Sequence, residues 1–311
     1  MKALLVVLLL GLASSATAAP TNKNVIIGTY LNNIPSVDIK NSQFTVDFYV
    51  WFRWEGDDWK PLETFELANG RITSKTGFVK KKLGTQNYAL CRVLATMTKF
   101  WDMRRFPLDN HTLTLEIEDA ELDDRSLAWD VDADNTGHSP ELEIPGWIIK
   151  HTQSKAAPHH YRTNYGDTSL PSNQQSSYSR YVYALDVARP GYGRFLRVFF
   201  GLFVAVLISW CAFFVRPKES SPRVSLGIGA TFAAAAVTVA INNSLPDTNS
   251  VTMADKLVML TLGMIVASVF VTITALWLFA VEKDATRKRM DRLCSILFPV
   301  AYSVLLLLIL R

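Results

Sequence analysis

Arg189-Pro190-Gly191 is the stretch on which the reading of this chain turns. Before it, apolar residues recur at every second position: Phe44-Thr45-Val46-Asp47-Phe48-Tyr49-Val50-Trp51-Phe52-Arg53-Trp54 alternates, as does Leu113-Thr114-Leu115-Glu116-Ile117-Glu118. A period of two predicts half-buried strands. Turn clusters at Asn69-Gly70, Asn135-Thr136-Gly137 and Asn164-Tyr165-Gly166-Asp167 separate such runs, and no helical stripe is sustained, so residues 20–190 read as an all-β, antiparallel, immunoglobulin-like sandwich. After it, residues 195–215, 224–245, 257–281 and 293–310 are apolar runs long enough to cross a bilayer, so residues 191–311 read as an all-α domain of four transmembrane helices.

Working outward, residues 1–19 have the basic, apolar and small-residue regions of a secretory signal peptide with cleavage near Ala19, which would export the β-domain. Basic residues fall between the first two spans (Arg216, Lys218, Arg223) and between the last two (Lys283, Arg287, Lys288, Arg289, Arg292), while the 242–254 loop has none. The positive-inside rule places both basic loops in the cytoplasm and both termini outside, the orientation that export requires independently. The expected topology crosses a membrane several times, with the sandwich on its outer side.

The balance of 32 Lys plus Arg against 28 Asp plus Glu in 311 residues argues against a nucleic-acid partner, which calls for a basic face. Of three cysteines, Cys211 and Cys294 lie in or beside apolar runs, so Cys91 has no partner for a disulfide within the exported part. His111, His138, His151, His159 and His160 show no zinc or metalloprotease spacing, and adjacent strand residues such as His159 and His160 face opposite sides. Neither enzyme chemistry nor a metal or cofactor is expected. The second span is unlike the others, carrying Ser225, Gly227, Gly229, Thr231, Thr238, Asn242 and Asn243 among alanines, a composition that suits close helix packing and pore lining equally.

Residues 99–113, Lys-Phe-Trp-Asp-Met-Arg-Arg-Phe-Pro-Leu-Asp-Asn-His-Thr-Leu, contain an Asp-x-x-x-Phe-Pro-x-Asp core that resembles the signature loop of the pentameric ligand-gated ion channels, the Cys-loop or Pro-loop receptors. Lys99 and Leu113 stand where animal members carry cysteines, so the chain resembles a bacterial Pro-loop member. Trp51-Phe52-Arg53-Trp54, Arg189-Pro190-Gly191-Tyr192, Ser209-Trp210, Leu245-Pro246, Asp255 and Phe298-Pro299 agree with that family in order, most closely with its amine-gated bacterial type. Two features depart: the segment from Trp54 to Asn69 is short, blurring a Trp-x-Asp pattern on the complementary binding face, and about ten residues join the last two spans where animal receptors insert a cytoplasmic region.

The resemblance implies a homopentamer in lipid, gated by a small-molecule ligand, with an amine among the candidates, and conducting inorganic ions. It aligns Arg223 with the basic residue that begins the pore helix and thereby directs Ser225, Gly229, Phe232, Ala236, Val239 and Asn243 inward; at 100° per residue these six fall within about 80° of arc. A ring of Phe232 would gate by dewetting. The competing face, Thr231, Thr238 and Asn242, is the more polar. Tyr165, Tyr178 and Glu118 match aromatic and acidic ligand-binding positions, although Ala120 replaces an expected aromatic. Phe106, Pro107, Asp109 and Arg189 match the parts that couple sensor to pore, and Asp109 with Arg189 resembles a family ion pair at the membrane surface. The acids between Glu116 and Glu143 fit either a cation-concentrating vestibule or an ordinary solvated face, so ion selectivity stays open. The alternative function is a membrane-anchored receptor that binds ligand without conducting; a transporter would call for an inverted repeat, which is not seen.

Overall fold

The computed structural model describes residues 23–56, 59–168, 175–216, 218, 220–246 and 250–311. The expected signal peptide lies outside the described residues.

Among the described residues, ten strands and a single-turn helix precede residue 189: β1 (Lys23–Asp38), β2 (Gln43–Trp54), α1 (Pro61–Thr64), β3 (Phe65–Leu67), β4 (Gly70–Leu83), β5 (Gln86–Thr98), β6 (Asn110–Asp119), β7 (Leu127–Val131), β8 (Gly137–His138), β9 (Ile148–His160) and β10 (Ser177–Ala188). They form two sheets. One runs β4-β5-β2-β1-β7, with β8 also on β1, and the other β3-β6-β10-β9. The alternation in β2 sends Phe44, Val46, Phe48, Val50 and Phe52 inward, and that in β6 sends Leu113, Leu115 and Ile117 to meet them. Phe52, Trp59, Phe65 and Trp129 close the centre with ring centroids 5.6–6.0 Å apart, Phe52 and Trp59 edge to face and the other pairs tilted.

The sandwich is not antiparallel throughout. β1 pairs in parallel with β7 and β8, because the chain reaches β7 after leaving β6 in the opposite sheet and crosses between sheets instead of returning by a hairpin.

The four expected spans are α2 (Gly191–Cys211, continued by a 3-10 turn at Ala212–Phe214), α3 (Ser220–Ser244), α4 (Met253–Ala280) and α5 (Asp284–Leu310). Thr252 and Asp255 cap α4 reciprocally: the Thr252 hydroxyl accepts from the Asp255 N–H at 3.1 Å and the Asp255 carboxylate accepts from the Thr252 N–H at 2.8 Å. The link between α4 and α5 shrinks from the expected ten residues to Val281–Lys283, because α5 starts well before its apolar run. Arg287 bonds Asp284 at 2.9 Å and Asp291 at 3.0 Å, one turn away on either side, and such pairs support helix where apolar patterning is silent. Small residues set the packing: a side chain added at Gly201 of α2 would strike Val237 of α3, and one at Gly227 of α3 would strike Val269 of α4. Inside α5, Pro299 has no N–H to offer the Ser295 carbonyl. The Trp210 indole of α2 supplies the missing donor at 2.8 Å.

Candidate functional site

Three places carry the candidate functional residues. The first is the junction of the two domains. Phe106 and Pro107 are buried in the loop ahead of β6. This loop brings Asp109 to the end of β10, where the Arg189 Nε donates to Asp109 Oδ1 at 3.0 Å and the two backbones also bond. The side chains are 1% and 2% exposed. The guanidinium lies 4.1 Å from the Trp147 ring centre and 5.3 Å from that of Phe106, a stacking that partly replaces lost hydration. Burial by itself would raise the Asp109 carboxyl, but the His111 hydrogen bond and the Arg189 charge outweigh it and hold it below the usual carboxylate range. Burial pushes Arg189 down despite Asp109. The same loop reaches the membrane domain by a second route, since the Met253 N–H at the start of α4 donates to the Arg104 carbonyl at 2.8 Å.

The second place is the hairpin tip between β9 and β10. Tyr165 and Tyr178 line one cleft of about 360 Å³ together with Glu121, Asp123, Asp124 and Arg125. Tyr165 is 62% exposed and has φ +53, in a turn where its N–H bonds the Thr163 hydroxyl and Asn164 takes the next N–H. Glu118, by contrast, lies buried below the cleft and is already engaged. Arg180 donates Nε to Glu118 at 2.6 Å, one terminal nitrogen to Glu116 at 2.7 Å and the other to the Tyr161 hydroxyl at 2.8 Å, while Tyr161 donates to Glu118 at 2.8 Å. Tyr161 stands at the centre of the aromatic group, 4.8 Å from His159, 5.5 Å from Tyr165 and 5.9 Å from Tyr178. Burial and the Glu118 bond push its phenol up to about 12, which keeps it a hydrogen-bond donor. Sequence reasoning missed Tyr161 and Arg180. The available signal was parity: in the β9–β10 register, Tyr178 faces His159 and Arg180 faces Ala157, so Tyr161 shares their side.

The acidic run is less free than its composition suggests. Asp119 takes the Trp59 indole, Asp123 the Arg125 guanidinium, Asp124 the Ser177 hydroxyl, and Asp132 both the Trp51 indole and Arg53. Much of this acid density does structural work.

The third place is α3. Ser225, Gly229, Phe232, Ala236, Val239 and Asn243 are all exposed, Phe232 by 72%, whereas Arg223, Gly227, Ala230, Ala234 and Ile241 are buried against the chain's own bundle. On the competing face, Thr231 and Asn242 are exposed as well and Thr238 is half-buried, while the hydroxyls of Thr231 and Thr238 donate back to the carbonyls of Gly227 and Ala234 at 2.9 Å. Arg223 has no exposed surface and binds Asp291 of α5 at 2.6 Å, so its charge is compensated within the chain.

Among the described residues, no group of three or more His, Cys, Asp or Glu is placed to hold a metal ion.

The sequence is similar to those of known receptor subunits and ion channels. This chain is 24% identical over 306 residues to the gamma-aminobutyric acid receptor subunit rho-1 of Rattus norvegicus, covering 89% of this chain and 60% of the receptor subunit. It is 23% identical over 297 residues to the proton-gated ion channel of Gloeobacter violaceus, covering 88% and 79%, and 24% identical over 292 residues to the human rho-1 subunit, covering 85% and 58%. The chain thus spans about 60% of the length of the animal receptor subunits named. No protein-family model matches it.

Proposed function

We propose that this chain is one subunit of a homopentameric, extracellular ligand-gated ion channel of a bacterial inner membrane. A small molecule binds at the interface between adjacent sandwiches, and inorganic ions cross a central pore lined by α3. The observation that carries this reading is the face of α3 that its own bundle leaves uncovered. It holds Ser225, Gly229, Phe232, Ala236, Val239 and Asn243 in one stripe, as a helix facing a shared axis requires. The similarity to channels of animal and bacterial origin over nearly nine-tenths of the chain supports it.

In this reading Phe232 forms the apolar constriction. Tyr165 and Tyr178 cover the ligand from one subunit. A cationic ligand is attracted by the rings more than by Glu118, because Arg180 already neutralises that carboxylate. Phe106, Pro107, Asp109 and Arg189 transmit ligand binding to α2 and α4.

Reconstitution in planar bilayers, with conductance recorded across a panel of amines, amino acids and pH values, tests the proposal. Channel openings are expected. Cysteine at position 232 should react with aqueous thiol reagents in the open state; reaction at Thr231→Cys with protection at Phe232→Cys would reassign the pore face. Ligand binding by a pentamer that never conducts would leave the non-conducting receptor in its place.

A further inference from the structure

We propose that His111 is a proton-binding site that sets the strength of the Asp109–Arg189 junction. His111 is the first residue after the strand-opening Asn110, and its ring turns back toward Asp109, with 2.7 Å between Nε2 and Oδ2. Two buried groups, Arg189 and His111, therefore share the Asp109 carboxylate; the side chains of Asp109, Arg189 and His111 are 1%, 2% and 2% exposed. With a neutral imidazole, Nε2–H donates to Asp109 and the Arg189 charge cancels that of the carboxylate. A second proton leaves the trio with one uncompensated positive charge. Asp109 is then divided between two cations, and its hold on Arg189 weakens as its hold on His111 tightens.

The surrounding charges are few and identifiable. Asp102, in the same loop, interacts with His111 from a distance, and Lys99 lies 6.0 Å from the Trp101 ring centre. From α2, Arg194 acts on Arg189. On β10, Asp186 is turned to the other face, where it binds Thr112. The remaining walls are rings: Trp101 at 4.9 Å and Trp147 at 5.4 Å, both edge-on to the imidazole. Trp147 also carries the Arg189 guanidinium on its face, so both cations would lie against one indole as well as one carboxylate. The perturbation falls where force passes between domains, since Arg189 is separated from α2 by Pro190 alone and the Asp109 loop bonds the start of α4 through Arg104. Histidine is the side chain whose ordinary titration falls between about pH 5 and 8.

The two rings in contact give a readout independent of conduction, because a protonated imidazole quenches indole emission. In the purified pentamer, acidification from about pH 8 to 5 should lower tryptophan emission along a single-site curve. The drop is bounded near about a quarter of the total, since two of the eight tryptophans touch the ring. His111→Gln keeps an N–H for Asp109 but cannot titrate, and should give a flat profile; a curve superimposable on the parent overturns the proposal. Trp101→Phe with Trp147→Phe leaves His111 in place and should abolish the quench even if His111→Gln fails to assemble; full persistence assigns the signal to another histidine and likewise overturns it. In reconstituted vesicles, an arm that rests on the channel reading, the midpoint of ligand response should shift several-fold over the same range in the parent and less than two-fold in His111→Gln. Equal shifts in both would overturn the control of the junction while the emission arms report proton binding separately.

Discussion

Replacing Asp109 by Asn should be among the most damaging single changes in the β-sandwich domain. The carboxylate and guanidinium are 3.0 Å apart and both essentially without solvent. Two unit charges at that distance attract by roughly 5 kcal/mol at an effective dielectric constant of about 20, before desolvation is subtracted. The cost of losing one partner is better taken from what remains: Asn neutralises the acid but strands Arg189, one of whose terminal nitrogens already lacks a partner. Breaking a buried pair this way costs about 3 kcal/mol, or about two decades in the folding equilibrium. Arg189→Gln should cost a similar amount for the mirror reason. The double variant, which strands no charge, should cost at least ~1 kcal/mol less than the sum of the two. Denaturant unfolding of the solubilised protein, with size-exclusion chromatography to follow assembly, measures all three. The sign of the pH effect is also set. Because Asp109 is held below the ordinary carboxylate range, its contribution is present above the unfolded value near pH 3.9 and fades as pH falls through the folded value, so parent and Asp109→Asn should converge only below about pH 4. Single variants within ~0.5 kcal/mol of the parent, or strictly additive losses, would refute the reasoning.

Arg223→Gln should also cost on the order of 3 kcal/mol, because Asp291 would keep a charge shielded by Arg287 alone; a thermal midpoint equal to the parent's would show that the pair is dispensable. Tyr178→Ala should weaken binding of a small primary amine about thirty-fold, while Tyr178→Phe, which keeps the ring, should cost much less; calorimetry showing equal losses would remove the ring's role. Ala120→Phe should strengthen the same binding, and no amine binding in either parent or variant would end the amine reading without touching the channel reading. Phe232→Ala should produce leak current in unliganded bilayers, and tight closure in that variant would place the gate elsewhere.

What the sequence made legible follows the range of the physics involved. Strand alternation in β2 and β6 and the apolar length of the helices are local patterns, and both domains could be read from them. The start of α5 could not, because a turn built from Asp284, Arg287 and Asp291 has no apolar signature until its ion pairs are seen. The parallel pairing of β1 with β7 escaped for a different reason: register between distant strands leaves no trace in either strand's composition. At the candidate sites one partnership was legible, since the resemblance pairs Asp109 with Arg189 and the structure joins them at 3.0 Å. Others were not: the resemblance marks Glu118 as an acid near a bound amine, but the guanidinium that occupies it comes from 62 residues away, and the acid that claims Arg223 from 68. His111 was noticed as one histidine among five and set aside for want of metal spacing; its significance lies in a ring orientation that spacing does not encode.

The indole of Trp210 and the carbonyl of Ser295 impose an order on how the membrane domain comes together. A proline-interrupted α5 crossing lipid by itself would carry a bare carbonyl in hydrocarbon, where each unsatisfied backbone group costs several kcal/mol. That debt is removed only when α2 stands alongside at the right height. The ribosome delivers α2 before α5, so the donor is already in place when the acceptor arrives. The bond thereby favours one height of α5 against α2.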